Sequence, residues 1–279
     1  MKTKKNSTVN VIGQDQLKIE LEKVIEIFVA SDQQIRPHFI LTGESGSGKT
    51  LLIKYLSENS KLGFLEINAA QLTKEGVSGN SLSKAMAPML QYGGKPTIIF
   101  VDEFDKLFIS GNSNDSCAHE STTGVQNEFL KVIESDTASV FGDYGKFIPV
   151  PMKNCLFVFA GAFNGEEDIT LDRLREIGIK TEFLGRVGLV YNTKRLTLEN
   201  LFEILETSPL LEKYLSLYED VSRDNVLIDL KAFIQGNYEN NTLGGRMINT
   251  IINQYFIKGG KLEDTIEQIT FQKKLKLKD

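Results

Sequence analysis

The sequence predicts an α/β fold in which a parallel sheet of five strands is covered by helices. Three observations support this prediction. Short apolar runs typical of buried parallel strands alternate with helix-like segments along the first two thirds of the chain. A glycine-rich loop follows the first run, and two carboxylates follow the third. The last third has helical spacing throughout, which predicts a second, smaller and mainly helical domain.

The glycine-rich loop lies between the apolar residues 39–41 and the helix-like residues 51–56, the context that a phosphate-binding loop requires. Its sequence is Gly43-Glu44-Ser45-Gly46-Ser47-Gly48-Lys49-Thr50. Glycines let backbone N–H groups approach phosphate oxygens closely, and the following helix adds the positive end of its dipole. We therefore expect Lys49 to contact the β- and γ-phosphates and the Thr50 hydroxyl to bind Mg²⁺.

Two acids follow the third apolar run, which covers residues 96–101. The carboxyl ends of parallel strands meet at the edge where open α/β sheets bind ligands, so Asp102 and Glu103 are expected beside the phosphate loop. Asp102 suits Mg²⁺ held through water, and Glu103 is the candidate base that polarises the attacking water. The alternative is an acidic cap on a helix that follows a buried strand.

The remaining elements are predicted from spacing and breaks. The other strands are expected at 63–67, 155–160 and 187–191. Helices are expected at 17–28, 81–90, 125–134, 198–205, 210–215 and 246–255, with loops at 72–80 and 110–123 and a closing strand within 266–278. We expect a flexible tail at 1–8, a large domain at 9–192 and a small helical lid domain at 193–279.

Composition excludes several classes of protein. Two cysteines and two histidines are too few for a disulfide framework or a histidine–cysteine metal site. No apolar run approaches the roughly 20 residues that span a bilayer, and the N-terminus lacks a signal-peptide core, so we expect a cytoplasmic protein without a membrane partner. A net charge of −5 gives no overall footprint for nucleic acid, although local patches leave that partner open.

The phosphate loop, the Asp102-Glu103 strand end and the helical lid together resemble the AAA+ ATPases, and the connecting segments resemble the ClpX/HslU unfoldases. Those segments are Val11-Ile12-Gly13-Gln14, Phe104-Asp105-Lys106, Gly124-Val125-Gln126, Leu130-Lys131-Val132-Ile133-Glu134, Gly161-Ala162-Phe163 and Glu182-Phe183-Leu184-Gly185-Arg186. The resemblance spans nearly the whole chain from Val9. It implies an ATPase that uses ATP/ADP and Mg²⁺, forms a hexameric ring and acts on protein substrates.

The resemblance also implies roles for residues outside the loop. Arg186 matches the arginine finger that one subunit offers to its neighbour's γ-phosphate, and Arg246 matches the lid arginine that contacts nucleotide in its own subunit. Val11, Ile12 and Leu51 join the nucleotide-binding set. A positive side chain at a helix N-terminus is repelled by the positive end of the helix dipole. A phosphate bound between Arg246 and that helix end would remove this repulsion. A solvated or ion-paired arginine is the alternative at both positions.

Two departures from that family concern what the ATPase acts on. The family has an aromatic residue in its axial pore loop, whereas this chain has Gly76-Val77-Ser78-Gly79. The segment between Phe163 and Gly185 is too short for the long loop by which ClpX engages the ClpP peptidase, and we expect no zinc-binding N-terminal domain. The strand that ends at Ala160 offers no obvious polar sensor, although Asn164 is nearby.

These features favour a ClpX-type machine that remodels, unfolds or disassembles protein partners, with ClpP an unlikely partner. The alternative is an AAA+ helicase loader, or a nucleotide-dependent assembly switch, that acts on a nucleic-acid complex. A loader should show a basic pore or a partner-binding extension, and only residues 1–7 qualify. A switch should lack Glu103 or Arg186, and the chain has both.

Overall fold

The computed structural model describes residues 10–74, 79–108, 116–142, 145–219, 221–260, 262 and 276–277, with 116–123 and 276–277 described by their backbone alone. The chain divides into two compact units, Met1–Glu44 with Lys49–Thr193, and Ser45–Gly48 with Lys194–Asp279. The first unit contains α1 Asp15–Ala30, β1 Phe39–Thr42, α2 Lys49–Asn59, β2 Gly63–Asn68, α3 Leu82–Ala85, α4 Met89–Tyr92, β3 Thr97–Asp102, α5 Ser116–Glu134, β4 Thr137–Phe141, β5 Phe147–Pro151, β6 Cys155–Gly161, α6 Leu171–Ile177, α7 Thr181–Arg186 and β7 Leu189–Asn192.

The first unit is built on a five-stranded sheet of order β2-β3-β6-β1-β7, in which every neighbouring pair is parallel. The predicted five-stranded α/β fold is therefore confirmed. Alternate residues of β3 enter two apolar clusters, Ile99 and Val101 on one face and Ile98 and Phe100 on the other. Because both faces are covered, the three inner strands β1, β3 and β6 are almost continuous apolar runs, as the sequence indicated.

Helix α1 confirms its prediction from spacing. Its five predicted apolar residues are buried: Leu17, Leu21, Val24, Ile25 and Phe28. They join the cluster that also contains Leu41 of β1 and Leu52 of α2. The opposite cluster is rich in phenylalanine, with Phe104 against Phe159 at a ring-centroid distance of 4.6 Å.

Two helix predictions need correction. The predicted loop over 110–123 is wrong from Ser116 onward, where α5 begins; residues 109–115 lie outside the described part. The weak helix propensity of serine and threonine is overridden when an amphipathic continuation such as 125–134 packs against the core. The single helix predicted over 81–90 is instead α3 and α4, because Pro88 disfavours helical backbone at the residue before it.

A β-hairpin was absent from the sequence prediction. Strands β4 and β5 pair antiparallel, with Thr137 opposite Pro151 and Phe141 opposite Phe147. Two prolines in β5, Pro149 and Pro151, argue against a strand from sequence alone, since proline cannot donate to a ladder. The hairpin forms a separate two-stranded sheet, which is the context in which such prolines are tolerated.

The second unit is mainly helical. Beside Ser45–Gly48 it contains α8 Leu198–Glu206, α9 Pro209–Leu217, β8 Tyr218–Glu219, α10 Arg223–Asn237, α11 Arg246–Ile257 and β9 Lys276–Leu277. The break between α8 and α9 lies where Ser208-Pro209 predicted it, and the Ser208 hydroxyl accepts the Leu211 N–H at 3.4 Å. The helices enclose one apolar cluster that includes Leu201, Leu230 and Ile252.

Helix α10 and the short strand β8 were absent from the sequence prediction, which expected helices alone before the closing strand. The signal for α10 is the spacing of Val226, Leu227, Leu230 and Ile234, which are buried along one helix face. Of the closing strand predicted within 266–278, only Lys276–Leu277 is described, paired antiparallel with β8. Within the described residues, no helix is both long enough and apolar enough to cross a membrane.

Candidate functional site

The phosphate loop begins where β1 ends, at the carboxyl edge of the sheet, which we define by Thr42 of β1 and Asp102 of β3. Gly43, Gly46 and Gly48 have φ values of 134°, 76° and 96°, a region that side-chain-bearing residues rarely adopt. A Cβ at Gly43 would lie 1.9 Å from the Thr193 hydroxyl oxygen, so only glycine fits there. A Cβ at Gly48 would meet no atom within 4 Å, and a methyl group there would extend into open space at the loop.

Lys49 is the first residue of α2 and lies against the loop that precedes it. Its Nζ donates to the carbonyl oxygens of Gly43 at 2.6 Å and Glu44 at 2.9 Å. The side chain is only 9% exposed, so its charge acts in a partly desolvated environment. This ammonium is positioned to stabilise phosphate at the loop once phosphate oxygens replace the carbonyl contacts.

Asp102 ends β3 and Glu103 follows it. The Asp102 Oδ1 accepts the backbone N–H of Glu103 at 2.9 Å. Burial raises the pKa of Asp102, while that hydrogen bond and the charge of Lys49 oppose the rise. Lys49 and Asp102 therefore interact electrostatically, as the two ends of a phosphate–magnesium site should.

Glu103 is exposed and has left-handed backbone, with φ 54° and ψ 30°. For a residue with a side chain this conformation is strained, and such strain is concentrated at functional sites. Its exposed carboxylate suits the predicted contact with an attacking water.

Asp105, the nearby alternative base, is 1% exposed and accepts the Phe163 N–H at 3.2 Å. It holds the turn after β6 and is poorly placed to replace Glu103. Asn164, the residue near the β6 end, is exposed in that turn, and a Cβ on its neighbour Gly165 would lie 3.9 Å from the Glu44 side chain.

The arrangement fits Mg²⁺ with a nucleotide. Thr50 is half-buried at the second position of α2, and Asp102 supplies a carboxylate. Among the residues described here, no three His, Cys, Asp or Glu side chains are grouped to hold a metal ion. Magnesium needs no such cage, because it binds through one or two protein oxygens, water and phosphate.

The remaining predicted contacts around the loop vary in burial. Val11 is buried in the apolar cluster that contains Leu52, Ile12 is half-buried and Leu51 is exposed. Their contact with nucleotide stays a prediction.

Sequence reasoning missed the residues that clamp the start of the loop. The Thr42 hydroxyl donates to the Asn192 side chain, and the Thr42 carbonyl accepts the Thr193 N–H at 2.9 Å. Asn192 also bonds both backbone groups of Ile169. Asn192 could have been predicted as part of this clamp, because it is a polar residue at the end of the last strand. That strand end lies at the same carboxyl edge as the phosphate loop.

Arg246 is the first residue of α11 in the second unit. Its Nη1 donates to the Ser45 hydroxyl at 3.1 Å, and the Gly245 N–H donates to the Gly46 carbonyl at 3.0 Å. Ser45 and Gly46 group with the second unit, so these contacts lie within it. The guanidinium thus contacts Ser45 of the phosphate loop, and its contact with nucleotide stays a prediction.

Arg186 lies elsewhere, at the amino edge of the sheet, which we define by the first residues of β1 and β7, Phe39 and Leu189. It ends α7, is 57% exposed, and its Nε donates to Glu134 at 2.7 Å. Since β1 runs for four residues from this edge to the loop, about 13 Å of strand separates the two edges. The phosphate loop, Asp102 and Glu103 therefore share one edge, and Arg186 does not.

Comparison with known proteins adds family information to this geometry. Residues 39–179 match the ATPase family associated with various cellular activities (AAA). Three similar proteins bear the name ATP-dependent Clp protease ATP-binding subunit ClpX. The one from Treponema denticola is 29% identical over 78% of this chain and 52% of its own length. Those from Bacteroides thetaiotaomicron and Porphyromonas gingivalis are 30% and 28% identical, over 59% and 73% of this chain and 45% and 54% of their own lengths. The chain spans about half the length of these relatives.

Proposed function

Because the chain belongs to the AAA family of ATPases, we propose that it binds ATP with Mg²⁺ and hydrolyses it to ADP and phosphate. The observation that carries the proposal is the phosphate loop with Lys49 facing the Asp102-Glu103 strand end at one edge of the sheet. Bound Mg²⁺ would neutralise charge that develops on the phosphates. In this proposal Thr50 and Asp102 hold the ion, the latter through water.

Each side chain has a defined task in the proposed hydrolysis. The loop N–H groups and Lys49 bind the phosphates, and Arg246 has the nucleotide-contacting role that the resemblance implies. Glu103 takes up the proton of the attacking water, because its carboxylate is exposed at the same edge. Burial raises the pKa of Asp102, and a bound cation would favour its ionised form.

We propose that the active form is a ring of identical chains, hexameric as the resemblance implies. The position of Arg186 supports this. It is at the amino edge, away from the loop of its own chain, so it can reach a γ-phosphate only on a second copy. The proposed domains remain 9–192 for the large domain and 193–279 for the lid.

We propose that the ring uses ATP to remodel or disassemble protein partners in the cytoplasm, and does so without ClpP. The relatives are named as subunits of the Clp protease, which supports protein substrates. Between Phe163 and Gly185 the chain is occupied by α6, a short connection and α7, which supports the absence of a long docking loop. The pore-loop residue Val77 lies outside the described residues, so its role stays a prediction.

Trapping partners on a hydrolysis-blocked ring tests this proposal. Glu103→Gln should bind ATP and retain protein partners that wild type releases, and purified wild type should release them only with hydrolysable ATP. Lys49→Ala is the matched control, because it should bind neither nucleotide nor partner. Capture of a nucleic-acid complex instead would favour the loader hypothesis. Efficient degradation of a partner by wild type plus ClpP would refute the peptidase-independent role.

A further inference from the structure

A cleft of about 420 Å³ lies at the amino edge, and we call it the amino-edge cleft. It is lined by Arg36, His38, Ile133, Glu134 and Arg186. The sequence pointed to Arg186 alone. Arg36 enters this cleft because it lies three residues before β1, at the same edge as the residue that ends α7.

The described side chains of the amino-edge cleft carry an excess of positive charge. Arg186 is paired with Glu134 through its Nε at 2.7 Å. Arg36 donates its Nη1 to the Met152 carbonyl at 3.3 Å, and within the described residues it forms no ion pair with a carboxylate. His38 adds no charge near neutral pH, since burial and the neighbouring Arg36 lower its pKa to about 3. Among the described residues that line the cleft, two guanidiniums thus accompany one carboxylate.

An unpaired guanidinium that is half-buried attracts an anion, since a planar fork of N–H donors matches phosphate and carboxylate oxygens. Two such forks in one cleft can bind different oxygens of the same group. A γ-phosphate carries several equivalent oxygens and the charge to engage both arginines, whereas one carboxylate already pairs with Arg186.

We propose that Arg36 is a second phosphate-contacting arginine, and that it joins Arg186 on the γ-phosphate of ATP bound to a neighbouring copy of this chain. This inference rests on the proposed function, because it requires the trans arrangement of Arg186. Glu134 holds Arg186 until the neighbouring phosphate takes its place. The Met152 carbonyl keeps Arg36 at the edge of the cleft in the same way.

A contact between Arg36 and a γ-phosphate should strengthen ring assembly with ATP and not with ADP, because only ATP has a γ-phosphate. The test uses the Glu103→Gln chain, in which hydrolysis is blocked, and measures the dissociation constant for ring assembly with saturating ATP or ADP by analytical ultracentrifugation. We expect Arg36→Gln to weaken assembly about tenfold or more with ATP, as for a lost charge-assisted contact, and to leave assembly with ADP unchanged. Arg36→Lys should retain part of the preference for ATP.

Two controls make the outcome decisive. Arg175→Gln, which removes an exposed arginine paired with Asp172 at 2.7 Å on α6, should change neither constant. Arg36→Met keeps the aliphatic stem without the charge and replaces Arg36→Gln if that variant unfolds at a lower temperature.

Equal weakening with ATP and ADP would show that Arg36 binds a neighbouring carboxylate, and no weakening would show that it binds nothing across the interface; either overturns the proposal. Failure of the proposed function is recognisable separately. In that case the Glu103→Gln parent shows no preference for ATP, or Arg186→Gln leaves that preference intact. A parent that prefers ATP through Arg186 but not through Arg36 refutes this inference alone.

Discussion

The two edges of the central sheet are built by opposite means. The carboxyl edge presents backbone, with three glycines at positive φ around the phosphate loop and strained backbone at Glu103. The amino edge presents charged side chains, with Arg36, Glu134 and Arg186 around a cleft. In the proposed function, the carboxyl edge binds nucleotide of its own chain and the amino edge contacts nucleotide bound to a neighbouring copy.

This difference explains why a single chain is expected to be inactive on its own. Strand β1 keeps the loop and Arg186 on opposite edges of the same sheet. Because no side chain can span that separation, the proposed function requires Arg186 to act on the phosphate loop of a second copy. If the proposed function is right, assembly and catalysis are coupled, because the neighbouring copy supplies a positive charge at the γ-phosphate.

The largest expected effect is at the carboxyl edge. Glu103→Gln should lower kcat for ATP hydrolysis by at least about 10²-fold, because an amide cannot accept the proton of water. Nucleotide affinity should remain near wild type, measured by fluorescent-nucleotide titration. Lys49→Ala should instead lose binding. Near-normal turnover by Glu103→Gln would show that another residue is the base.

Backbone shape at the same edge can be tested by comparing two glycines. Gly43→Ala places a Cβ against Thr193 in addition to its unfavourable φ, so the free energy of unfolding should fall by about 3 kcal/mol or more. Gly48→Ala meets no atom and should cost about 1–2 kcal/mol from φ strain alone. Urea denaturation measures both.

The same two glycine variants distinguish an effect on stability from an effect on nucleotide binding. Despite its milder cost, Gly48→Ala should weaken nucleotide binding, because its methyl group extends into the space at the loop. Adding Thr193→Ala to Gly43→Ala should recover part of the lost stability. Equal stability of the two single variants would refute the close approach of Thr193.

A smaller effect at the amino edge concerns pH. Burial lowers the pKa of His38 from 6.5 to about 3, and its Nδ1 accepts the Phe157 N–H at 3.0 Å. Above pH 6.5 folded and unfolded chains both hold a neutral His38, so its contribution is constant. Below pH 6.5 only the unfolded chain takes up the proton, so stability falls until the pH reaches about 3.

Between pH 7.5 and pH 5 this proton uptake should cost about 2 kcal/mol. His38→Asn, whose amide oxygen can still accept the Phe157 N–H, should lose that share of the pH dependence. Urea midpoints of both proteins at the two pH values give the difference. Identical pH dependence in variant and wild type would show that folding does not lower the pKa of His38.

The smallest expected effect concerns Val77, which is not among the described residues. Val77→Tyr should increase unfolding of a tagged model protein several-fold if residue 77 lines an axial pore, because tyrosine adds contact area for a polypeptide. ATP hydrolysis without substrate should stay the same. If unfolding of the model protein does not change, the loop around Val77 does not line a pore.

Local signals decided which parts were predictable. The phosphate loop and the Asp102-Glu103 strand end are contiguous motifs, and continuous apolar runs mark the three inner strands β1, β3 and β6. The amino-edge cleft was not predictable, because Arg36 and Arg186 are 150 positions apart and meet only through the strand order β6-β1-β7. Hairpin β4–β5 was hidden by its prolines, and the start of α5 by serine and threonine.

The central claim is that one active site is completed by two chains. Mixing tests it most directly, with Arg186→Ala and Lys49→Ala chains combined and ATP hydrolysis measured in rings shown to contain both. Each variant alone should be impaired, Arg186→Ala by about 10³-fold, as for arginine fingers of other phosphate-loop enzymes. Mixed rings should regain activity, because some interfaces join an intact loop to an intact Arg186. Mixed rings that remain as inactive as the separate variants would contradict the account.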